Sequence, residues 1–386
     1  MKTKIKKKDI RKKVCGGEIT IGSGAGVNDA VISTEAGAFQ NEVTVNNGCS
    51  LITGANSYKK RKLIHAMIDD SLSNGHKVIL IKINRNSNND EFMDVLEYAN
   101  MPNLTCYDVF SECLPYDLLS VDPNASVEEL KKALFEKVSA TGIYSITKLD
   151  DIGTFCDSYI DDTIERIREN GYININAFEA ILQLAERYNN NDGNEHVRIS
   201  DLFDDITSCE FEDCSFCDFI KESKEFIIMK FDCGIYKTNA AIIADMVLCD
   251  ILNYQRKHND EYLDLYFDDL NLQNYHIASP IRRIINEAKS INLTFTGISE
   301  EYYPKGTNKE NVLNKFDDIY FLNPTNNSKE AVYKAIGLTS GEDWPLDNSD
   351  DGITYLNRRN DDVPKGYSTC IYRHNSSNRY ADEENK

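Results

Sequence analysis

The stretch CSLITGANSYKKRKL at 49–63 sets a glycine, a hydroxyl and a run of cations behind an apolar segment. That combination can hold phosphate. A glycine turn behind a buried strand lets backbone amides wrap phosphate oxygens, a lysine neutralises them, and a Ser or Thr hydroxyl ligates Mg²⁺ in the pattern G-x-x-x-x-G-K-[ST]. Here the pattern is altered. Gly54 holds the place of the first glycine and Lys60 that of the lysine, but Lys59 stands at the second glycine and Arg61 at the hydroxyl. Gly54, Ser57, Lys59, Lys60 and Arg61 are thus the candidate phosphate contacts. Lys59, Lys60, Arg61 and Lys62 form four consecutive cations where a helix begins. Dipole and charge both favour an anion there; the same four residues also suit the exposed face of a helix start.

A second chemistry-bearing pair is Asp268 and Asp269, which end the apolar segment YLDLYFDDL at 262–270. Acids at the carboxyl edge of a parallel sheet lie where ligands bind. Asp268 suits Mg²⁺ binding and Asp269 the orientation of a water, although Asp269 is one methylene shorter than the Glu usual in that role. Two acids in a strand-to-loop turn also have a plain structural use. No other catalytic set competes: the six histidines form no H-E-x-x-H, and no G-x-S-x-G occurs. Cys209, Cys214 and Cys217 have the C-x4-C-x2-C spacing of some iron–sulfur ligands. Their segment alternates with aromatics and is not glycine-rich, which favours small packed thiols.

The elements that must position these residues follow from periodicity. Strand 49–53 leads through Gly54 into a helix whose apolar face carries Leu63, Ile64, Met67, Ile68 and Leu72, with Gly75 as its C-cap. VILIKI (78–83) reads as a buried parallel strand. Short strands are expected across 17–46, a short helix over 91–100, and mostly helix over 126–190, with a capping box at Ser126 and Glu129. Strand 225–232, helix 238–254, strand 262–270, helix 279–289, strands 292–297 and 317–322, and helix 328–338 complete the alternation. Strand–helix alternation implies a parallel sheet with helices on both faces.

In order and spacing, these segments resemble the HerA/FtsK group of P-loop ATPases across about residues 17–373. SLITGANSYKKRKL resembles the group's phosphate loop, and LDLYFDDLNLQN its Mg²⁺-binding strand. SPIRRIINEAKSINLTFTGIS resembles its helix and sensor strand, and FDDIYFLNPTNNSKEAVYKAIGL its closing strand and helix. The resemblance implies an α/β, RecA-like P-loop NTPase parallel sheet flanked by helices. It also implies ATP and Mg²⁺ as cofactors, a hexameric ring, and work on DNA or another translocated polymer. Around the NTPase-type domain (14–374) we expect a basic flexible tail (1–13) and a disordered tail (375–386). Within it we expect a small β-rich N-terminal part (14–46) and a helical insertion (121–200). Five departures fall on the chemistry. They are Lys59, Arg61, Asn84 for an acid after the second strand, Ile298 or Ser299 for a polar sensor Gln, and Asn286–Lys289 where a basic finger is expected. They point to a pseudo-ATPase, a weak or non-hydrolysing nucleotide-binding subunit beside an intact ATPase. An active DNA translocase with altered motifs, and a scaffold that binds no nucleotide, stay open.

Composition bounds the rest. The chain has 386 residues, 41% of them hydrophobic, enough for a sizeable core. Its net charge of −20 argues against a globally basic nucleic-acid binder, although residues 1–13 hold eight Lys or Arg against one Asp. Eleven scattered cysteines fit free thiols, and no apolar run reaches the ~20 residues of a membrane span. A cytoplasmic protein is expected.

Overall fold

The computed structural model describes residues 17–23, 48–54, 58–84, 103–109, 115–118, 126, 128–129, 132–133, 136–137, 214–232, 237–268, 270, 280–302, 315–322, 330–331, 352–357 and 367–374. Among them are strands β1 (Gly17–Ser23), β2 (Cys49–Gly54), β3 (Lys77–Asn84), β4 (Leu104–Asp108) and β5 (Phe226–Asp232). β6 (Leu263–Asp268), β7 (Leu293–Ser299), β8 (Asp318–Leu322), β9 (Gly352–Asn357) and β10 (Tyr367–His374) follow. The long helices are α1 (Tyr58–Ser73), α2 (Phe216–Glu222), α3 (Lys237–Lys257) and α4 (Pro280–Glu287). The expected tails, the strands at 30–34 and 41–45, helix 91–100, Cys209, and most of the insertion and of helix 328–338 lie outside the described residues.

The chain divides into two compact units, Met1–Lys77 with Thr296–Lys386, and Val78–Phe295. In the first, the strand order is β1-β10-β9-β8-β2, followed by the end of β7. β2 and β8 run parallel, Leu51 opposite Ile319 and Gly54 opposite Leu322. β8–β9, β9–β10 and β10–β1 are antiparallel. In the second, the order from the start of β7 is β6-β3-β5-β4. Seven strands, β8, β2, β7, β6, β3, β5 and β4, are parallel and flanked by helices, as the alternating pattern predicts, in the RecA-like arrangement that the resemblance implies.

Local chemistry explains the elements. Every residue of β2, β7 and β8 is buried, so their apolar, β-branched runs match strands covered on both faces. α1 buries Leu63, Ile64, Met67 and Ile68 on one face, with Leu72 half-buried. It ends in a Schellman motif: His76 N donates to Ser71 O at 3.1 Å and Gly75 N to Leu72 O at 3.0 Å, with Gly75 at φ +77°. All ten residues from Ile243 to Leu252 on α3 are buried, polar ones included. The capping box is present: Ser126 N donates to Glu129 Oε2 at 2.8 Å and Glu129 N to Ser126 Oγ at 3.3 Å.

Candidate functional site

The phosphate-loop candidates lie in the first unit. β2 delivers Gly54 to the carboxyl edge of the sheet, where its φ is +140°. A Cβ built there would meet Leu322 O of β8 at 1.6 Å. Glycine is therefore required twice over, by backbone conformation and by contact with the adjacent strand.

Lys60 sits in the first turn of α1 and is 4% exposed. Its Nζ donates to Gly54 O at 3.3 Å and to Ser299 O at 3.0 Å. An ammonium this deep needs acceptors, and those on the ends of β2 and β7 supply them. Ser299 is itself fixed: its Oγ donates to Glu301 O at 2.6 Å and accepts from Glu301 N at 3.2 Å. Of the two residues expected near the sensor position, Ile298 is a buried apolar side chain, while Ser299 reaches Lys60 through its backbone. Arg61 follows on α1, half-buried, so a guanidinium occupies the place where the unaltered pattern has a hydroxyl. Ser57 and the side chain of Lys59 lie outside the described residues.

In the second unit Asp268 is the last residue of β6 and half-buried, after five fully buried residues. It stands at the strand's carboxyl end, as the sequence predicts; Asp269 lies outside the described residues. Where a basic finger is expected, Glu287 ends α4 and takes both arms of a guanidinium. Arg256 Nε and Nη2 of α3 donate to its two carboxylate oxygens, each at 2.8 Å. The hydrogen bond from Arg256 holds the Glu287 carboxyl below its usual range, against a partial burial that pushes it up. Arg256 Nη1 reaches Glu136 at 2.9 Å, and Arg283 Nη1 reaches the same carboxylate oxygen at 2.7 Å. Nearby, Lys137 pairs with Asp250 at 2.8 Å and donates to Leu118 O, and Tyr116 donates to Asp250 at 3.2 Å. Burial pushes Asp245 well above the usual carboxylate range, with Arg283 pulling the other way, and pushes the Cys249 thiol up to about 12.

Sequence reasoning missed a charged row on the sheet. Lys82 of β3 and Lys230 of β5 are register partners, and so are Lys230 and Asp108 of β4. Lys230 Nζ pairs with Asp108 at 3.0 Å, and both lysines are almost fully buried. The signal was present: VILIKI and FIIMKF each carry a lysine as the fifth residue of an apolar run. The two described cysteines of the motif are less buried than the expected packed thiols. Cys214 Sγ donates to Pro115 O at 3.3 Å, and Cys217 lies on α2; both are half-buried. The neighbouring Phe216 and Phe219 pack on Tyr116, with ring centroids 4.9 and 5.6 Å away. No helix among the described residues is long and apolar enough to cross a membrane.

No protein-family model matches the chain, and no curated protein matches it. Solved structures do. VirB4 of Thermoanaerobacter pseudethanolicus is similar with a TM-score of 0.52 and 10% identity over 94% of this chain and 97% of that one. The plasmid coupling protein TrwB in complex with ADP and Mg²⁺ has a TM-score of 0.47 and 9% identity over 84% of this chain and 77% of that one. TrwB with the ATP analogue ADPNP has 0.48 and 7% over the same shares. The parallel strand order agrees with the VirB4 likeness: this chain has a RecA-like P-loop NTPase fold.

Proposed function

We propose that this chain is a degenerate P-loop ATPase-type subunit. It binds nucleotide weakly through phosphate, hydrolyses it slowly or not at all, and serves beside an intact ATPase in an assembly that moves DNA or a related polymer. The observation that carries the reading is the buried Lys60 ammonium at the edge of the sheet, next to a glycine that no other residue can replace without clash. Those two features fit a phosphate. The place of the metal ligand fits Mg²⁺ poorly, because Arg61 brings a positive charge where a hydroxyl should coordinate the ion. Gly54, Ser57 and Lys60 would hold the phosphates with help from Lys59 and Arg61. Asp268 would hold any metal through water, and Asp269 is the only residue offered for orienting a nucleophile. A bound Mg²⁺ would neutralise charge developing between the β- and γ-phosphates.

Loss of hydrolysis is supported at a second place. Phosphoryl transfer depends on cations placed around the transferred group. The segment expected to present one, Asn286–Lys289, includes Glu287, whose carboxylate is filled by Arg256 of the same chain. A ring of copies, or a mixed ring with an intact ATPase, is the assembly the fold suggests, and the basic residues 1–13 are available for polymer phosphates.

The test is titration of purified protein with ATP, with and without Mg²⁺, beside Lys60→Ala. Binding that needs Lys60 and is indifferent to Mg²⁺ supports the reading. Binding that tightens at least tenfold with Mg²⁺ and leads to turnover establishes the active translocase instead. No binding at millimolar ATP leaves the scaffold.

A further inference from the structure

We infer that Lys60 is a latch. Without nucleotide, its ammonium ties the mouth of the phosphate loop to the end of the sensor strand, and a polyphosphate that takes more than one of its donors draws it off the Ser299 carbonyl. The inference rests on the proposed nucleotide site and adds an internal competitor to it.

The geometry is confined to one unit. Lys60 Nζ lies 3.3 Å from Gly54 O and 3.0 Å from Ser299 O, bridging residues 239 apart in sequence, and the side chain is 4% exposed. Gly54 and Ser299 end two parallel strands, and each is held by contacts of its own. Gly54 is pressed against Leu322, and Ser299 is locked by two hydrogen bonds to Glu301. Fixed acceptors on both sides leave the lysine little choice of position. An ammonium has three donors in tetrahedral array. With two aimed at backbone carbonyls, at most one is left for phosphate oxygens outside the sheet, so full engagement of a polyphosphate requires the ammonium to turn. Charge-assisted hydrogen bonds to a phosphate are stronger than those to neutral carbonyls, so a polyphosphate can win the exchange. When it does, the end of β7 loses a cross-tie. The consequence is a change at Thr296–Glu301 whenever phosphate occupies the loop, without any metal or hydrolysis. A subunit that does not turn nucleotide over can still report its presence in this way.

The experiment is hydrogen–deuterium exchange on the full chain, read at the peptide Thr296–Glu301, with Phe226–Asp232 of the other unit as the internal reference. Lys60→Met keeps the aliphatic stem and removes the ammonium; Lys60→Arg keeps charge and donors. Without nucleotide, Lys60→Met is expected to exchange at least tenfold faster at Thr296–Glu301 with the reference unchanged, and Lys60→Arg less than that. Wild-type exchange in the Met variant overturns the tie. With ATP, whose occupancy is measured separately by equilibrium dialysis, wild-type protein is expected to exchange faster at the same peptide. Bound ATP with unchanged exchange overturns the release. Absence of bound ATP at millimolar concentration refutes the nucleotide site but leaves the nucleotide-free comparison as a complete test of the tie. If Lys60→Met does not fold, the Arg variant and the wild-type ATP comparison decide.

Discussion

Replacing Gly54 with alanine tests whether the loop's first glycine answers to the sheet or only to a phosphate. The added Cβ would stand 1.6 Å from Leu322 O and 2.6 Å from its carbonyl carbon. Real Cβ contacts essentially never fall under 3.0 Å, so the backbones must part by about 1.4 Å (3.0 less 1.6). Paired strands lie about 4.8 Å apart, and a displacement of that size disrupts the ladder where β2 meets β8. Each lost ladder hydrogen bond costs about 1 kcal/mol, and forced overpacking costs about 1–3 kcal/mol. The positive φ adds about 1–2 kcal/mol for a residue with a Cβ. The expected loss is about 4 kcal/mol, or a fall in Tm on the order of 10 °C for a chain this long. Gly75→Ala is the matched control: its φ is +77° and nothing lies within 4 Å of the built Cβ. It incurs strain without clash, about 1 kcal/mol. Urea unfolding followed by circular dichroism, in the absence of nucleotide, measures both. A Gly54→Ala protein as stable as Gly75→Ala would refute the steric reasoning and return the glycine to a purely ligand-binding role.

Four further outcomes are expected. Glu136→Ala removes the carboxylate shared by Arg256 and Arg283, whose side chains are about one-fifth exposed, and leaves both cations facing each other. The loss should be about 2–3 kcal/mol by chemical denaturation, below the full penalty of a dry buried pair. Glu287, with its carboxyl held low by Arg256, contributes stability above its unfolded pKa that disappears as pH falls through the folded value. Wild-type Tm should therefore drop below about pH 4.5, and Glu287→Gln should flatten that drop. Asp245 has the opposite sign: burial raises its pKa, so the folded state binds the extra proton and stability declines as pH rises above the unfolded value of 3.8. Asp245→Asn should gain stability relative to wild type as pH is raised from 4 to 8, measured by thermal melts across that range. Finally, iodoacetamide should alkylate exposed Cys106 in the native protein and spare Cys249, which is buried and pushed up to about 12, until denaturant is added.

The central strands were legible because burial on both faces leaves continuous apolar runs. The boundaries expected for β2, β3, β5, β7 and β8 fall within two residues of those observed. β4 was not read, because LTCYD at the sheet's edge is half-buried with an exposed cysteine and has no apolar run to announce it. β9 and β10 were missed for another reason. β10 pairs with β1 across the whole chain, His374 opposite Gly17, and although Tyr367, Thr369, Ile371 and Tyr372 are strand formers, its partner lies at the other end of the sequence. The candidate site divides in the same way. The strand-end places of Gly54 and Asp268 and the helix-start place of Lys60 were legible from residue type behind an apolar run. The acceptors of Lys60, the Arg256–Glu287 fork and the Lys82–Lys230–Asp108 row were not, since each joins residues that only folding brings together.

The lysine of the phosphate loop and one residue of the segment where a basic finger is expected both have partners within the chain. A working phosphate loop keeps its lysine and its finger cation for the ligand. Here the lysine donates to the carbonyls of Gly54 and Ser299, and within Asn286–Lys289, where a basic finger is expected, Glu287 is paired with Arg256. Simple decay would leave such groups exposed or in poor geometry, with no compensating contact. A bidentate pair at 2.8 Å and a bridged ammonium at 3.0 Å are the reverse of that. They tie the ends of β2 and β7 to the start of α1, and α3 to the end of α4. Under the proposed function, such contacts would hold the shape of the site without nucleotide, as a member that contributes surface rather than turnover requires.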